Sequence, residues 1–410
     1  MVSNGIRIGI YTGEGASHSW IWFGEILDRM GFHHVSFLSE ELFKQMGPEQ
    51  FDVLIVSGGD TFKIAEALGE KGAESLGTFL NEGGTFIGTC AGAYLPLNSS
   101  KSPLNLFNFV PAKIANLKDR LPDCVALSEK FSTPYGCQYV YHPVREAIKI
   151  RGSGEPPFDF SSEIEAPIYG GPSLLPSDEI TVLAHYSGFT PQTLFLVAPS
   201  IAGETLIGKI AALKKEVGKG RIYLFGPHLE HPSFREANEL IGKVILNCRK
   251  GTGNERERLS RQNSPASSSE SPRILADLKR EISNGRIMAF GLIQRGLGWK
   301  IGNKFWEAEK AGYFFETIWK KMRFVEKHIN GCIDSKRLIG ILDLASGSLR
   351  TLEDLKKTAE RDEDSFSLAE VLFRQLRDLC SQFMQLYFDL KLIHGNHSGY
   401  KRRVFQKSDC

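Results

Sequence analysis

Apolar residues in the first quarter of the chain fall into short runs, IRIGIY (6–11), HVSFL (34–38), DVLIVSGG (52–59) and TFIG (85–88). Near-continuous apolar runs of this length are what strands buried on both faces require. Segments of helical spacing stand between them, one over 20–30 and two pieces continuing to about residue 80. Strand and helix in alternation predict a doubly wound, mostly parallel sheet with helices on both faces.

After residue 130 the rhythm changes. QYVYHPV (138–144), EAPIYGG (165–171), ITVLAHY (180–186), TLFLVA (193–198), ETLIGKIAA (204–212) and GRIYLFGPH (220–228) read as strands separated by turns. They predict an antiparallel extension of the same sheet. A helix over 234–248, with Ala237, Leu240, Ile241, Val244 and Ile245 near one face, closes a first domain, 1–250.

Residues 251–273, GTGNERERLSRQNSPASSSESPR, hold Ser, Pro and charge with almost nothing to bury, and read as a flexible linker. Beyond it, 274–410 reads as an all-α domain. Phe315, Ile318, Trp319, Met322, Val325 and Ile329 recur at helical spacing. Leu372, Leu376, Leu379, Phe383, Leu386, Leu390 and Ile393 form a heptad seam over 368–393. Packing inside a small bundle is the reading this seam favours, with a homo-oligomer contact or a partner helix as its other use. The glycines of FGLIQRGLGWKIG (290–302) lack a GK[ST] sequence and a preceding strand, so a turn between helices is expected rather than a phosphate loop.

Length and charge add two points. At 410 residues the chain exceeds one compact core, which supports the division into two domains. The net charge of +2 divides into −5 over 1–250 and +7 over 251–410. Charges of both signs are interleaved in the second part, the pattern of solvated helix faces, so no nucleic acid partner is expected. The basic tail YKRRVFQK (400–407) is read as solvated in the same way. No apolar run is long enough for a membrane span, and no leader precedes the first strand, so neither a membrane partner nor secretion is expected. Seven scattered cysteines without a CxxC pair suit free thiols in a reducing cytoplasm, and no metal or cofactor is called for.

The chemistry concentrates at GTCAG (88–92). A nucleophile between two glycines at a strand end is the form of a strand-to-helix elbow, where Gly88 and Gly92 admit the sharp turn and Cys90 projects from its apex. The N–H of Ala91 then points where an oxyanion would form. An elbow needs a base, and GPHLEHP (226–232) follows the last apolar strand, so it reaches the same sheet edge. His228 can take the thiol proton and Glu230 can orient the imidazole. His231 reads as a capping or surface residue, and His18, His142 and His185 as structural histidines. SGGD (57–60) supplies a second oxyanion N–H, Asp60 acting as helix N-cap.

Taken in order, YTGEG (11–15), VSGGD (56–60), GTFIGTCAGAYL (84–95), IYGG (168–171), VLAHY (182–186) and GKGRIYLFGPHLE (218–230) resemble the N-terminal domain of eukaryotic-type biotin-protein ligases, within the class I glutamine amidotransferase-like superfamily. The resemblance spans about 5–250 and implies a flavodoxin-like fold. It implies Cys90 as nucleophile, His228 as base, Glu230 as its orienter and Gly59 with Ala91 as oxyanion donors, with Gly58, Tyr94, Gly170 and Gly171 on the substrate side. Tyr94 stands where glutamine-using members carry Gln, so glutamine is not implied as substrate. The GRGRxxR and KWPND-like segments of the ligase part are missing from 251–410, so biotin ligation is not expected. The expectation is a Cys-His-Glu hydrolase acting on a small amide or a carboxamide of a larger partner. The alternative is a non-catalytic ligand-binding or regulatory module whose helical domain mediates partner binding or oligomerisation.

Overall fold

The computed structural model describes residues 5–117, 139–160, 162–248, 270–329 and 334–395. The first part builds β1 (Ile8–Tyr11), α1 (Trp20–Met30), β2 (Val35–Leu38), α2 (Glu40–Gln45), β3 (Val53–Val56), α3 (Thr61–Asn81), β4 (Thr85–Thr89) and α4 (Ala91–Tyr94). The strands sit where the apolar runs put them, and β1, β3 and β4 are buried at every position. The two helical pieces expected before residue 80 are both present within α3 and meet at Gly69, whose φ of 56° and ψ of −160° are not helical.

The chain continues through β5 (Lys113–Ile114), β6 (Val144–Gly152), β7 (Glu163–Ile168), β8 (Leu174–Leu175), β9 (Thr181–Phe189), β10 (Leu194–Phe195), α5 (Pro199–Leu206), β11 (Ile210–Val217), β12 (Gly220–Phe225) and α6 (Arg235–Leu246). A parallel core runs β12-β4-β3-β1-β2, and β11, β9 and β6 extend it antiparallel from β12. The α/β architecture with an antiparallel extension is the one the pattern predicted.

Three strand boundaries differ. Of residues 138–144, Gln138 lies outside the described residues and Val140 forms only an isolated bridge to Leu117, while the strand proper, β6, begins at Val144. TLFLVA shrinks to the two residues of β10. ETLIGKIAA begins as the end of α5, which Pro199 opens at its first turn. A left-handed turn at Gly208, φ 78°, then leads into β11. Proline fixes φ for a helix start and glycine accepts the turn, so local backbone chemistry overrode the apolar run.

The second part contains α7 (Ser271–Ile293), β13 (Gly298–Ile301), β14 (Lys304–Glu307), α8 (Ala308–His328), α9 (Ser335–Glu360) and α10 (Phe366–Gly395). Helix α7 already includes Ser271–Arg273, the last residues assigned to the linker, because Pro272 sits in its first turn. Residues 251–269 and the basic tail 400–407 lie outside the described residues. The region is not purely helical. After α7 the segment read as a plain turn becomes a hairpin, with Trp299 opposite Trp306 and Ile301 opposite Lys304. Its two-residue loop carries Gly302 at φ 62°, as a type II′ turn prefers.

Helices α7, α8, α9 and α10 contact one another in a ring, and α10 also lies along β2. In the heptad seam Leu372, Leu376, Leu379, Phe383, Leu386 and Leu390 are fully buried, and Ile393 is 42% exposed. The seam is thus used inside the chain. Gln385 on α10 accepts from the N–H of Phe37 at 2.9 Å and donates to the carbonyl of Val35 at 3.3 Å. One side chain therefore occupies open ladder positions of the edge strand β2, groups that would otherwise invite another strand. Asp28 on α1 strengthens the junction, bonded by Lys321 at 2.7 Å, Lys391 at 3.1 Å and the hydroxyl of Tyr387 at 2.7 Å.

Candidate functional site

Strands β4 and β12 are parallel neighbours, with Thr89 opposite Phe225, so the chain leaves both at the same sheet edge. The GTCAG elbow follows one and the GPHLE loop follows the other. Cys90 has φ 52° and ψ −111°, a left-handed conformation that costs a non-glycine residue and persists only where its surroundings impose it. Its N–H bonds the carbonyl of Phe225 at 3.0 Å, and the N–H of Gly92 bonds that of Ser57 at 3.0 Å. A Cβ on Gly88 would collide with the Gly92 carbonyl, and one on Gly92 with the Val56 carbonyl. The two glycines are there for close approach.

His228 and Glu230 are buried, and Nδ1 of the imidazole lies 2.7 Å from Oε1 of Glu230. The hydroxyl of Thr89 donates to the same oxygen at 2.9 Å, tying the loop back to the elbow strand. Trp22 meets the imidazole edge-on at 5.2 Å between centroids, and Tyr169 lies at 5.6 Å. The imidazole and the Cys90 thiol line the same cavity, close enough for the charge of each to act on the other. Burial pushes the Cys90 thiol up, but His228, with Lys304 behind it, outweighs burial and holds the thiol below its ordinary value. Burial likewise opposes charging His228, yet Glu230 and Cys90 together lift it to about 10. The direction for the pair is toward thiolate and imidazolium.

Cys90, His228, Trp22 and Tyr169 open on a cavity of about 690 Å³, within the range of small-molecule sites, with Glu230 buried behind the imidazole. Gly58, Gly59, Ala91, Tyr94 and Gly170 line it. The bridge between Ala16 and Gly59 uses the N–H groups of Ser17 and Asp60, not that of Gly59. Gly171 is a correction: it does not line the cavity. It packs on the chain just before His228, where a Cβ would collide with the Gly226 carbonyl. Its smallness makes room for the GPHLE loop.

Asp60 is the N-cap of α3, its carboxylate accepting from Phe62 at 3.1 Å and Lys63 at 3.4 Å. His231 accepts from the N–H of Ser233 at 3.3 Å, the local capping role expected, and burial with the His228 charge lowers it to about 4. His18 departs from a purely structural reading. It lines the cavity, and its Nδ1 has no hydrogen-bond partner among the described residues. Burial, then Lys310 and Lys304, keep its ring neutral.

The largest omission of the sequence reading is the hairpin. Asn303, Lys304, Phe305 and Glu307 from it, with Lys310 and Tyr313 from α8, form one wall of the cavity. The N–H of Asn303 donates to Oδ2 of Asp60 at 2.7 Å, which latches the hairpin tip to the SGGD turn. The signal was present: GWKIGNKFWE alternates Trp299, Ile301 and Trp306 around a Gly-Asn turn, a hairpin pattern. Among the described residues no group of His, Cys, Asp and Glu could hold a metal ion. No helix among them is long and apolar enough to cross a membrane.

Residues 7–101 match the family model described as "Biotin-protein ligase, N terminal". That match takes in YTGEG, VSGGD and GTFIGTCAGAYL and ends before His228. A search of curated proteins found no match. Solved structures that resemble the chain include a glutamine amidotransferase (14% identity, 59% of this chain and 97% of that one, TM-score 0.36). A cytoplasmic protein of Salmonella typhimurium (14%, 60% and 100%, TM-score 0.37) and a glutamine amidotransferase of Thermotoga maritima (10%, 59% and 94%, TM-score 0.34) are similar in the same way. Over residues 7–101, then, this chain is similar to the N-terminal domain of biotin-protein ligases, on an α/β fold of the kind that resemblance implies.

Proposed function

We propose that the chain is an amidotransferase-like cysteine hydrolase that cleaves a small amide through Cys90, His228 and Glu230. The observation that carries this reading is the strained Cys90 at the tip of β4, lining one cavity with an imidazole whose Nδ1 is held by a buried carboxylate. A purely structural cysteine needs neither the strain nor the carboxylate behind its neighbour.

In the proposed reaction His228 holds the thiol proton, and the thiolate adds to the amide carbonyl. The N–H groups of Ala91 and Gly59 stabilise the oxyanion. His228 then gives its proton to the departing nitrogen, leaving a thioester on Cys90. Water, deprotonated by the same imidazole, attacks that thioester and releases the acid. Glu230 keeps Nδ1 protonated and supports the imidazolium. The three cysteines among the described residues are free thiols, which suits the reducing cytoplasm as the place of action.

The experiment is a screen of small amides for released ammonia or amine, comparing the protein with Cys90→Ala. Turnover lost in the variant supports the reading. Turnover that survives the loss of Cys90 overturns it. A second reading, a binding module without turnover, draws on Tyr94 at the cavity wall in place of Gln. Ligand retention without product in the same screen favours it.

A further inference from the structure

Four acids and four bases line the cavity, but they are not all paired. Asp60 receives N–H groups from its own helix and from Asn303, and Glu146 receives the Tyr169 hydroxyl at 2.9 Å. Glu307 faces both Lys310 and, at 3.9 Å, Arg145, whose guanidinium also lies 5.1 Å over the Tyr169 ring. Glu309 is exposed at the mouth. The Lys304 ammonium, on the hairpin wall, has neither a hydrogen bond nor an ion pair among the described residues. Lys304 is partly buried, and the Cys90 and Asp60 charges act on its ammonium without pairing with it directly, so a ligand anion supplies the direct partner it lacks.

We propose that Lys304, with Arg145 and the neutral His18 beside it, forms an anion subsite, so that the compound presented to Cys90 carries a carboxylate in addition to its amide. The inference rests on the hydrolase reading for the amide, but not for the anion. It assigns the hairpin, which lies far outside the matched residues 7–101, a part in substrate choice. The cavity of about 690 Å³ leaves room for both groups and for carbon between them. Burial, partly offset by Cys90 and Asp60, lowers the Lys304 amine, consistent with a cation that gains from an incoming anion.

The test uses two alkylating probes that differ by one charge, iodoacetate and iodoacetamide, on the intact chain. Both meet the same thiolate, so the ratio of their rates, divided by the ratio for a small free thiol, cancels any change in Cys90 itself. The subsite predicts that iodoacetate is favoured by about tenfold in the normalised ratio. Lys304→Met loses this preference, and Lys304→Arg retains most of it, with thermal melts reporting that each variant is folded. A normalised ratio near one in the unaltered protein, or the same ratio in Lys304→Met, overturns the proposal. Slow reaction with both probes but an intact preference would instead sink the hydrolase reading and leave the subsite standing.

Discussion

The imidazole of His228 is fixed by Glu230, Nδ1 to Oε1 at 2.7 Å, while Thr89 of the neighbouring strand donates to the same carboxylate oxygen at 2.9 Å. The carboxylate thereby joins the loop after β12 to the strand that carries the elbow, and sets the direction in which the ring faces Cys90.

Replacing Glu230 with Gln removes the charge that supports His228. The imidazole falls from about 10 toward its ordinary value, and the thiol it holds down rises. Alkylation of Cys90 by iodoacetamide at pH 7 is expected to slow by about tenfold, with its pH profile displaced upward by about one unit. An unchanged profile would remove Glu230 from the account.

The same pair has a stability signature. His228 is raised in the folded protein, so its contribution is fully present below about pH 6.5 and is lost as pH rises through about 10. The destabilisation caused by Glu230→Gln is therefore largest at pH 6 and shrinks toward pH 10.5. Urea denaturation at the two pH values measures it, and an equal loss at both would contradict the assignment.

At the elbow, Gly92→Ala drives a methyl group into the Val56 carbonyl, a backbone atom that cannot rotate away. A loss of about 1–3 kcal/mol, the range for overpacking, is expected in denaturant titration. Gly203→Ala, on a helix with nothing within 4 Å of the added carbon, is the control and is expected to be tolerated.

Much of this architecture could be read from the residues, and the reasons differ by element. The parallel core follows from β1, β3 and β4, whose every position is buried, so hydrophobicity alone marks them. Cys90 and His228 could be paired because both follow parallel strands, and a parallel sheet gathers such ends at one edge. The hairpin wall escaped because its residues do not resemble a site: Lys304 is an ordinary lysine until the packing of α10 on β2 and the Asn303 to Asp60 latch bring it to the cavity. Contacts so distant along the chain leave no local period. Gly171 was misplaced for the converse reason, since a glycine pair in a turn looks alike whether it faces a ligand or the chain behind.

Asp60→Ala removes a helix cap and the hairpin latch together. About 0.5–2 kcal/mol of stability is expected to go with the cap. Amide exchange should also accelerate across residues 298–307, a region the cap itself does not touch. Exchange unchanged there would show that the latch does not hold the hairpin.

Leu386→Ala tests the use of the heptad seam. The side chain is fully buried inside the chain, so the loss is expected at about 2–5 kcal/mol. It should not depend on protein concentration. A cost that vanishes on dilution would mean that the seam is occupied by another chain.

The most direct test of the central claim is the pH dependence of Cys90 alkylation by iodoacetamide, followed by mass spectrometry of the peptide containing residue 90. The account predicts a thiol already reactive at neutral pH, its inflection below the ordinary value of about 8.5, and an upward displacement in His228→Gln. An inflection at or above about 8.5 that His228→Gln leaves in place would contradict it.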